Sequence, residues 1–405
     1  MMQHRSNGLL IAPALKVVAE SSGRFLITRK FVEGACAYAQ AWPGPVAVMA
    51  AATPRAEDHL DYMTVCAGEV PFTLKVMPDD ELGRRDCIRG AGLVLVTTAE
   101  RLLPLSRLCT QEGTPAVFIT ETTLRTRKQI IGAVAANPLR RLRQKLQTQV
   151  FEQRLIAELR RAAGVQCNGT PTFEAYRRIN PRALLFFDTR VSTSMLASED
   201  AVCAKQRSIA SGAPLRLAFS GRLVAIKGAG HLPKVAAELR RLGVRFTLDI
   251  FGGGDEEGAV RELVSRLALA DVVRLRGVAE FQRQLVPYMT GSVDLFVCCH
   301  RQGDPSCTYL ETLACATPIV GYGNEALAGL VRHSGVGWIS AMDDPRELAG
   351  QIALLDKDRA SLEAGVARAK AFAAKHTFEA TMCRRVEHLL ACQEHREILS
   401  EAKVA

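Results

Sequence analysis

The stretch LRLAFSGRLVAIKG, residues 215–228, begins as an apolar strand, turns at a glycine and continues with two basic residues. Its first seven residues are typical of a buried strand. A helical stripe with i, i+3, i+4, i+7 spacing follows at Leu232, Val235, Ala236 and Leu239. A buried strand followed by an amphipathic helix is the repeating unit of a parallel sheet that is covered by helices on both faces.

The same alternation of strand and helix continues through the rest of the chain. Further strand candidates are RFTLDIFGGG at 245–254, DVVRLRG at 271–277, VDLFVCC at 293–299, PIVG at 318–321 and GVGWIS at 335–340. In the first half, strand candidates lie at 23–29, 44–52, 92–98, 114–121, 164–169 and 183–190. This pattern predicts an α/β protein with two Rossmann-like, doubly wound domains.

The domain boundaries follow from a change in composition. Residues 198–214 are polar, small and unpatterned, which predicts a linker. The first domain then covers residues 1–197 and the second covers 215–375. Residues 376–405 are predicted to form a C-terminal helix that packs back on the first domain, with an apolar face at Met382, Val386, Leu389 and Leu390. We expect the strand ends of the two sheets to face each other across a cleft, where ligands of such sheets bind.

Composition limits the class of protein. The chain has 405 residues, 48% of them hydrophobic, and no apolar run near the ~20 residues that span a bilayer. GLLIAPAL at 8–15 resembles a weak signal peptide, but Pro13 and Lys16 favour a cytoplasmic start. Twelve cysteines without a CxxC motif favour reduced thiols over a zinc site. The net charge of +10 suits an anionic partner, and sparse aromatics argue against a nucleic-acid surface.

Two basic residues follow the strand of the opening stretch. Arg222 can grip a phosphate with two hydrogen bonds, and Lys227 adds a mobile point charge. Both lie at the carboxyl end of the predicted strand, where a diphosphate would bind. The alternative is a pair of solvated basic side chains on a loop.

A second signal is FGGGDEEG at 251–258, a glycine-rich turn after a strand. Such a turn lets the backbone approach a ligand closely. The dinucleotide fingerprint GxGxxG is absent, because Glu257 stands where the third glycine belongs. Taken alone, the stretch is more typical of a tight turn.

A third signal is DPSCTYLETLACATPIVG at 304–321, where Ser306, Cys307 and Thr308 open a predicted helix. The free N–H groups and the positive end of that helix would bind a phosphate. Glu311 lies one turn further in and would repel a phosphate, so we expect it to bind a pair of neutral hydroxyls, such as those of a ribose. An acid stabilised by the helix dipole is the alternative.

Four motifs follow one another along the second half of the chain: SGRLVAIKG, FGGGDEEG, RLRGV and DPSCTYLETLACATPIVG. In this order and spacing they resemble the C-terminal half of a GT4-type glycosyltransferase of group 1, a family with the GT-B fold. The resemblance covers roughly residues 215–378. It implies that Arg222 and Lys227 hold the diphosphate of a nucleotide sugar and that Glu311 holds the ribose. It implies further donor contacts at Gly221, Gly253, Gly254, Arg276, Gly277, Asp304, Ser306, Cys307 and Thr308.

The sequence departs from the E-x7-E pattern of that family. Eight residues before Glu311 stands Gly303 rather than glutamate, and the nearest acid is Asp304. In the family the first acid contacts the donor sugar. Asp304 from a shifted position, or a backbone group, would have to replace it, so the departure leaves the identity of the donor sugar open.

The first domain is expected to hold the acceptor. The family's glycine pair after the first strand is not evident, and Lys30 and Gly34 are candidates in its place. Asn168 and Arg190 each end a predicted strand, so we expect them to face the cleft, although loop capping is equally compatible. The family's cleft histidine cannot be assigned, since His59 lies in the loop-like stretch EDHLDY.

These features together predict a retaining, metal-independent glycosyltransferase with a UDP- or GDP-linked donor and a saccharide or lipid-linked acceptor. No metal, other cofactor or nucleic acid is expected. The alternatives are a sugar-nucleotide epimerase of the same fold and a non-catalytic nucleotide-sugar-binding protein; a phosphorylase would need a pyridoxal-binding lysine that nothing marks. Cell-envelope glycan assembly is an expectation from the family.

A basic helix is predicted over residues 139–161, with only Glu152 and Glu158 as acids. Its basic residues are Arg140, Arg141, Arg143, Lys145, Arg154, Arg160 and Arg161. Either it contacts anionic lipid at the inner face of the plasma membrane, or it is a solvated helix flank.

Overall fold

A computed structural model describes residues 7–20, 23–56, 61–66, 68–134 and 137–401 of the chain. The strands of its first half are β1 Leu9–Ala12, β2 Lys16–Ala19, β3 Arg24–Thr28, β4 Val46–Ala52, β5 Tyr62–Cys66, β6 Thr73–Val76, β7 Leu93–Thr97, β8 Ala116–Thr120, β9 Gly164–Asn168 and β10 Ala183–Phe186. The helices there are α1 Arg29–Ala41, α2 Glu81–Arg89, α3 Pro104–Gln111, α4 Leu124–Val134, α5 Pro138–Arg161 and α6 Gly169–Tyr176.

The second half has the same kind of order. Its strands are β11 Leu215–Ser220, β12 Phe246–Phe251, β13 Val273–Gly277, β14 Leu295–Cys298, β15 Ile319–Tyr322 and β16 Trp338–Ser340. Its helices are α7 Glu199–Ala210, α8 Leu232–Arg241, α9 Glu257–Arg266, α10 Val286–Ser292, α11 Cys307–Ala314, α12 Glu325–Ser334, α13 Pro345–Lys357, α14 Arg359–Ala374 and α15 Phe378–Glu401.

Two sheets result. The first is ten-stranded in the order β10-β9-β8-β7-β1-β4-β2-β3-β5, with β6 paired to β4. The second has the order β13-β12-β11-β14-β15-β16, and all its neighbours are parallel. Read from its own first strand, this is the Rossmann order 3-2-1-4-5-6. The predicted fold class, two Rossmann-like domains of the GT-B type, is confirmed.

The strand β1 was not predicted. Residues 9–12, interpreted above as part of a weak signal-peptide resemblance, form a buried strand that pairs in parallel with both β4 and β7. The stretch at 23–29 is therefore not the first strand of the sheet, and β3, which it forms, runs antiparallel between β2 and β5.

The prediction of an unpatterned linker at 198–214 is wrong for most of its length. Residues 199–210 form α7, which is capped by the Ser198 hydroxyl accepting from the amide of Ala201. Val202 and Ile209 on this helix are buried in the core of the second domain. A helix that packs on the domain is a fixed part of it rather than a loose connection.

The C-terminal helix returns to the first domain, as predicted. The crossing is marked by the amide of Phe378, which donates to the carbonyl of Val191 at 2.7 Å. Met382, Val386 and Leu389 then pack in the same core cluster as β1, β4 and α1. Among the helices formed by the described residues, none has the length and apolarity needed to cross a membrane.

Candidate functional site

The second sheet reverses its strand order between β11 and β14, and the loops that follow these two strands face each other. Ligands of doubly wound sheets bind in the crevice at such a reversal. Lys227, in the loop after β11, donates to Asp304, in the loop after β14, at 3.4 Å. The Lys227 side chain is 11% exposed. The predicted cation and the predicted acid are thus brought together at the strand reversal.

Arg222 lies in the same loop after β11 as Lys227. Its side chain is exposed and makes no hydrogen bond or ion pair with any residue that the structure describes. The helix α11 begins at Cys307 with Ser306 as its N-cap, and the Ser306 side chain makes no capping hydrogen bond. The N–H groups in the first turn of α11, those of Cys307 and Thr308 among them, therefore donate no hydrogen bond to the Ser306 side chain. This is expected for a helix end that binds an anion.

Glu311 lies one turn into α11 and pairs with an arginine of the first domain. Arg190 donates from Nε to Glu311 Oε1 at 2.8 Å, and its guanidinium lies 3.7 Å from the centroid of the Phe281 ring. Burial raises the pKa of the Glu311 carboxyl, and Arg190 opposes that rise. Arg190 was predicted on the acceptor side, and the structure places it beside Glu311, which was predicted on the donor side.

The glycines of the loops that follow β11 and β12 divide into two kinds. Gly252 and Gly254 have φ of +126° and +152°, and a Cβ at Gly254 would lie 2.6 Å from the carbonyl oxygen of Leu223. A Cβ at Gly252 would collide with the carbonyl of Gly221, itself at φ +153°. These three glycines let two loops pack closely. Gly253 has no such neighbour, since a Cβ there would meet only ordinary contacts at 3.5 Å.

Arg276 and Gly277 end β13 beside this glycine turn. Arg276 donates to Asp249 at 2.5 Å, and Tyr288 donates to the other oxygen of that buried carboxylate at 2.7 Å. Gly277 accepts a hydrogen bond from the amide of Gly252 at 2.7 Å and has φ of +71°. The side chain of Arg276 therefore braces the strand ends, which leaves the backbone as the group that could touch a base, as the resemblance implies.

Gly303, where the family has its first acid, is wedged between the domains. A Cβ there would lie 2.9 Å from the Cβ of Glu325. The carbonyl of Gly303 accepts from Thr126, and its amide donates to Gln129 at 3.3 Å. A side chain at this position would therefore crowd Glu325, while the backbone of Gly303 is held by α4 of the first domain.

The loop after β14 and the start of α12 carry buried polar atoms without hydrogen-bond partners. They are His300 Nε2, Gln302 Oε1, Asp304 Oδ1 and Glu325 Oε2. Burial holds the pKa of His300 well below its usual range, so this imidazole is neutral. Buried polar groups are nearly always paired in folded proteins, and a cluster of unpaired ones marks a place where a polar ligand would gain hydrogen bonds.

The first domain contains a cavity of about 340 Å³ at the carboxyl ends of its central strands, which we name the acceptor cavity after the role predicted for this domain. Its size lies at the lower end of the range of small-molecule sites. The polar residues that line it are Thr28, Lys30, Tyr38, Thr97, Glu121, Asn168, Asp188 and Arg385, and Gly34 also lies in its wall. Lys30, Gly34 and Asn168 were predicted from the sequence.

Lys30 connects the acceptor cavity with the first residue of α11 in the second domain. It donates to Asp188 at 2.5 Å and to the sulfur of Cys307, the first residue of α11, at 3.3 Å. Burial alone would lower the pKa of Lys30, but Cys307 and Asp188 raise it above its ordinary value. Burial, with Asp188 nearby, raises the pKa of the Cys307 thiol to about 11.

Sequence reasoning missed Glu121, Arg385 and Phe281. Glu121 is the last residue of the predicted strand at 114–121, so the rule that strand ends face the cleft could have identified it. Arg385 comes from the returning helix α15, and no local signal marks it. His59 lies outside the described residues. Among the residues that are described, no group of three acidic, histidine or cysteine side chains could hold a metal ion.

Comparison with known proteins finds similarities in sequence and in fold. Residues 204–372 match the family model described as glycosyl transferases group 1. The chain is 32% identical over 183 residues to the D-inositol 3-phosphate glycosyltransferase of Thermobispora bispora, an alignment that covers 42% of each protein. The match thus spans less than half the length of that curated relative.

Solved structures resemble the whole chain. The Anabaena protein Alr3699/HepE in complex with UDP superimposes with a TM-score of 0.63 at 15% identity, over 95% of this chain and 99% of that one. Sucrose-phosphate synthase from Thermosynechococcus elongatus gives a TM-score of 0.59 at 17% identity, over 98% of this chain and 100% of that one. At such identities the likeness shows the fold alone. The second domain of this chain therefore matches the model of the glycosyl transferases group 1, the family that its motifs resemble, and the chain as a whole has the GT-B fold.

Proposed function

We propose that this protein transfers a sugar from a nucleoside diphosphate to an acceptor hydroxyl, with retention of configuration and without a metal ion. The observation that carries the proposal is the Lys227–Asp304 contact at the strand reversal of the second sheet, beside the N-terminus of α11. UDP is the first donor nucleotide to test, because the Anabaena neighbour was crystallised with UDP and with UDP-glucose. GDP is the alternative.

The difficult step in such a transfer is the departure of the diphosphate. Negative charge grows on its oxygens as the sugar leaves, so fixed positive charge at that place lowers the barrier. Lys227, Arg222 and the N–H groups of α11 supply such charge. In a retaining reaction the leaving phosphate helps to remove the proton of the attacking hydroxyl, and that hydroxyl would come from the acceptor cavity past Lys30 and Asp188.

Replacement of Lys227 by alanine tests this assignment. We expect turnover of the nucleotide sugar to fall on the order of 10²–10³-fold, as when other preorganised charge stabilisers are removed. Lys234→Ala is the matched control, since this lysine is exposed on α8 and makes no contact with the site. Unchanged turnover in Lys227→Ala would reject the proposed role of the lysine.

The donor is identified by thermal shift with UDP, GDP and their sugars, because a ligand that binds the folded state stabilises it in proportion to its affinity. Release of UDP only when a saccharide or lipid acceptor is added would distinguish a transferase from an epimerase. Stabilisation by UDP-glucose without any release of UDP would instead identify a nucleotide-sugar-binding protein.

We also propose that α5 contacts anionic lipid at the inner face of the plasma membrane, where the acceptor would be a lipid-linked or cell-envelope glycan. Leu139, Leu142 and Leu146 on this helix are 79%, 58% and 61% exposed. Arg140 and Arg143 lie exposed among them. Each basic residue near an anionic surface contributes ~1 kcal/mol, and exposed leucines between them can enter the interface.

The acid at Glu152 does not reduce the positive charge of this surface. Glu152 is buried, where it pairs with Arg127 and accepts from the Tyr176 hydroxyl at 3.1 Å. Co-flotation with phosphatidylglycerol and with phosphatidylcholine vesicles tests the contact. Arg140→Gln with Arg143→Gln, and separately Leu142→Ser with Leu146→Ser, should reduce flotation with the anionic vesicles.

Leu242→Ser is the control for the leucine pair, because Leu242 is 42% exposed but lies at the end of α8 in the second domain. Equal flotation of the wild type with neutral and anionic vesicles would reject the electrostatic contact.

A further inference from the structure

A buried lysine of α7 lies at the carboxyl ends of two helices of the second domain. The side-chain nitrogen of Lys205 donates to the carbonyl of Cys315, the C-cap of α11, at 2.8 Å and to the carbonyl of Met289 in α10 at 3.0 Å. It also donates to the hydroxyl of Thr317 at 2.6 Å. Lys205 is 2% exposed, so these three oxygen atoms take the place of water around its ammonium group.

Within the part of the chain that the structure describes, Lys205 makes no ion pair with a carboxylate. Asp294 acts on it through charge, but Arg216 already binds both oxygens of that carboxylate, at 2.6 Å and 3.2 Å. The third titratable group that faces the lysine is the thiol of Cys315. A buried cation without a counter-ion of its own is costly for a fold, which makes a functional reason for this lysine worth testing.

The titratable groups on the other helices around α7 are bound elsewhere. On α10, the hydroxyl of Tyr288 donates to Asp249. On α14, Lys370 is paired with Glu199 of α7 at 2.5 Å. The protonation of Lys205 therefore follows mainly from its burial, which lowers its pKa to about 7.

The two helices that Lys205 joins carry residues of the candidate donor site. α11 begins at Cys307 and contains Glu311, and on α10 Tyr288 braces Asp249 together with Arg276. A positive charge at the carboxyl end of a helix offsets the negative end of its dipole. The other end of α11 lies about 12 Å away, since the helix has eight residues, and there the same charge adds to the attraction for an anion.

We propose that Lys205 is a positioning residue for the donor nucleotide: its ammonium joins the carboxyl ends of α10 and α11, and its charge strengthens the binding of a diphosphate at the opposite end of α11. The lysine acts through the helix and does not touch the ligand. This rests on the proposed transferase function.

Isothermal titration calorimetry of the full chain with UDP at pH 7 and pH 8.5 tests the inference. UDP carries nearly the same charge at both pH values, because the last ionisation of a phosphate group lies near pH 6. A bound diphosphate favours the charged lysine, so the benefit is present at low pH and is lost as the ammonium of Lys205 deprotonates. The wild type should therefore bind UDP about threefold more weakly at pH 8.5 than at pH 7.

Lys205→Met removes the charge and nearly keeps the length of the side chain. This variant should bind UDP about threefold more weakly than the wild type at pH 7, and its affinity should not change between the two pH values. Lys370→Met is the matched control, because the ammonium of Lys370 binds Glu199 of α7 instead of the carbonyls of α10 and α11. Its UDP affinity should equal that of the wild type at both pH values.

Thr317→Val is a second variant, which keeps the lysine and removes one of the three acceptors of its ammonium. At pH 7 its UDP affinity should lie between those of the wild type and Lys205→Met. It decides the test if Lys205→Met does not fold, since wild-type affinity in Thr317→Val would then overturn the inference.

Two results with folded Lys205→Met would also overturn the inference: a UDP affinity equal to that of the wild type at pH 7, or the same change of affinity with pH as in the wild type. A lysine that serves only the stability of the fold would give these results. A wild type that binds neither UDP nor GDP would instead contradict the proposed function, so the two failures are distinguishable.

Discussion

The pair between Arg190 and Glu311 joins the two domains at the predicted ribose site, and Arg190→Met tests whether it prepares that site. Arg190 occupies only Oε1 of the Glu311 carboxylate, so Oε2 can accept a ribose hydroxyl while the pair persists. A hydrogen bond between charged groups contributes about 1.5–3 kcal/mol. Arg190 is half exposed, so solvent screening places the effect at the lower end.

We therefore expect UDP to bind about tenfold more weakly to Arg190→Met, a loss of ~1.4 kcal/mol. The loss should grow as the pH falls from 8 to 6. Burial already raises the pKa of Glu311, and removal of Arg190 raises it further, so the carboxylate of the variant becomes protonated at a higher pH. Isothermal titration calorimetry with UDP at both pH values measures the effect.

Arg177→Met is a matched control. Arg177 also pairs with a carboxylate, that of Glu174, and its guanidinium lies 5.9 Å from the centroid of an aromatic ring, that of Phe173. It directly follows α6 in the first domain, away from Glu311 in sequence and in a different domain from it. Its UDP affinity should equal that of the wild type. Unchanged UDP affinity in Arg190→Met at both pH values would refute the preparatory role, and tighter binding would show that Arg190 competes with the ribose.

Three stability predictions follow from buried contacts. Gly329→Ala places a Cβ against the hydroxyl of Thr170 across the domain interface and should lower the free energy of unfolding by about 1–3 kcal/mol in urea melts. The control Gly350→Ala places its Cβ in open space on α13 and should be neutral or stabilising by up to ~1 kcal/mol. Equal effects of the two substitutions would contradict the close approach of the two helices at Gly329. Burial lowers the pKa of Lys205 to about 7, so the free energy of unfolding of the wild type should rise by up to ~1.4 kcal/mol per pH unit between pH 7.5 and 9.5. In this range folding releases the proton that Lys205 holds in the unfolded state, and the release becomes easier as the pH rises. Lys205→Met should lack that gain, and parallel pH profiles would reject it. Gly303→Glu, which recreates the family's acid, should lower the melting temperature because of the 2.9 Å approach to Glu325, and a variant as stable as the wild type would show that the loop has room for it.

Periodicity predicted the second domain well because its strands and helices are short, regular and separated by glycine turns. The same reasoning failed at β1, since a four-residue apolar strand before Pro13 has the composition of a signal-peptide core. It also failed at α7. Ser198 followed by Glu199 and Asp200 is a helix-start signal, but the buried face of that helix includes Lys205, which breaks the apolar pattern.

The roles predicted for the site residues depended on assigning each half of the chain to one substrate, and the structure brings residues of the two halves into contact. Lys30 and Glu121 belong to the first domain, yet Lys30 contacts Cys307 at the tip of the donor helix. Arg190 is 121 residues from Glu311 in sequence but bonded to it in space. Local sequence patterns give the direction of a strand end, whereas contacts between domains depend on how the domains pack. The proposed chemistry needs an acceptor hydroxyl beside a departing diphosphate. Lys30 and Arg190 of the first domain both contact α11 of the second domain, so residues of both domains are needed to hold the hydroxyl and the diphosphate together there.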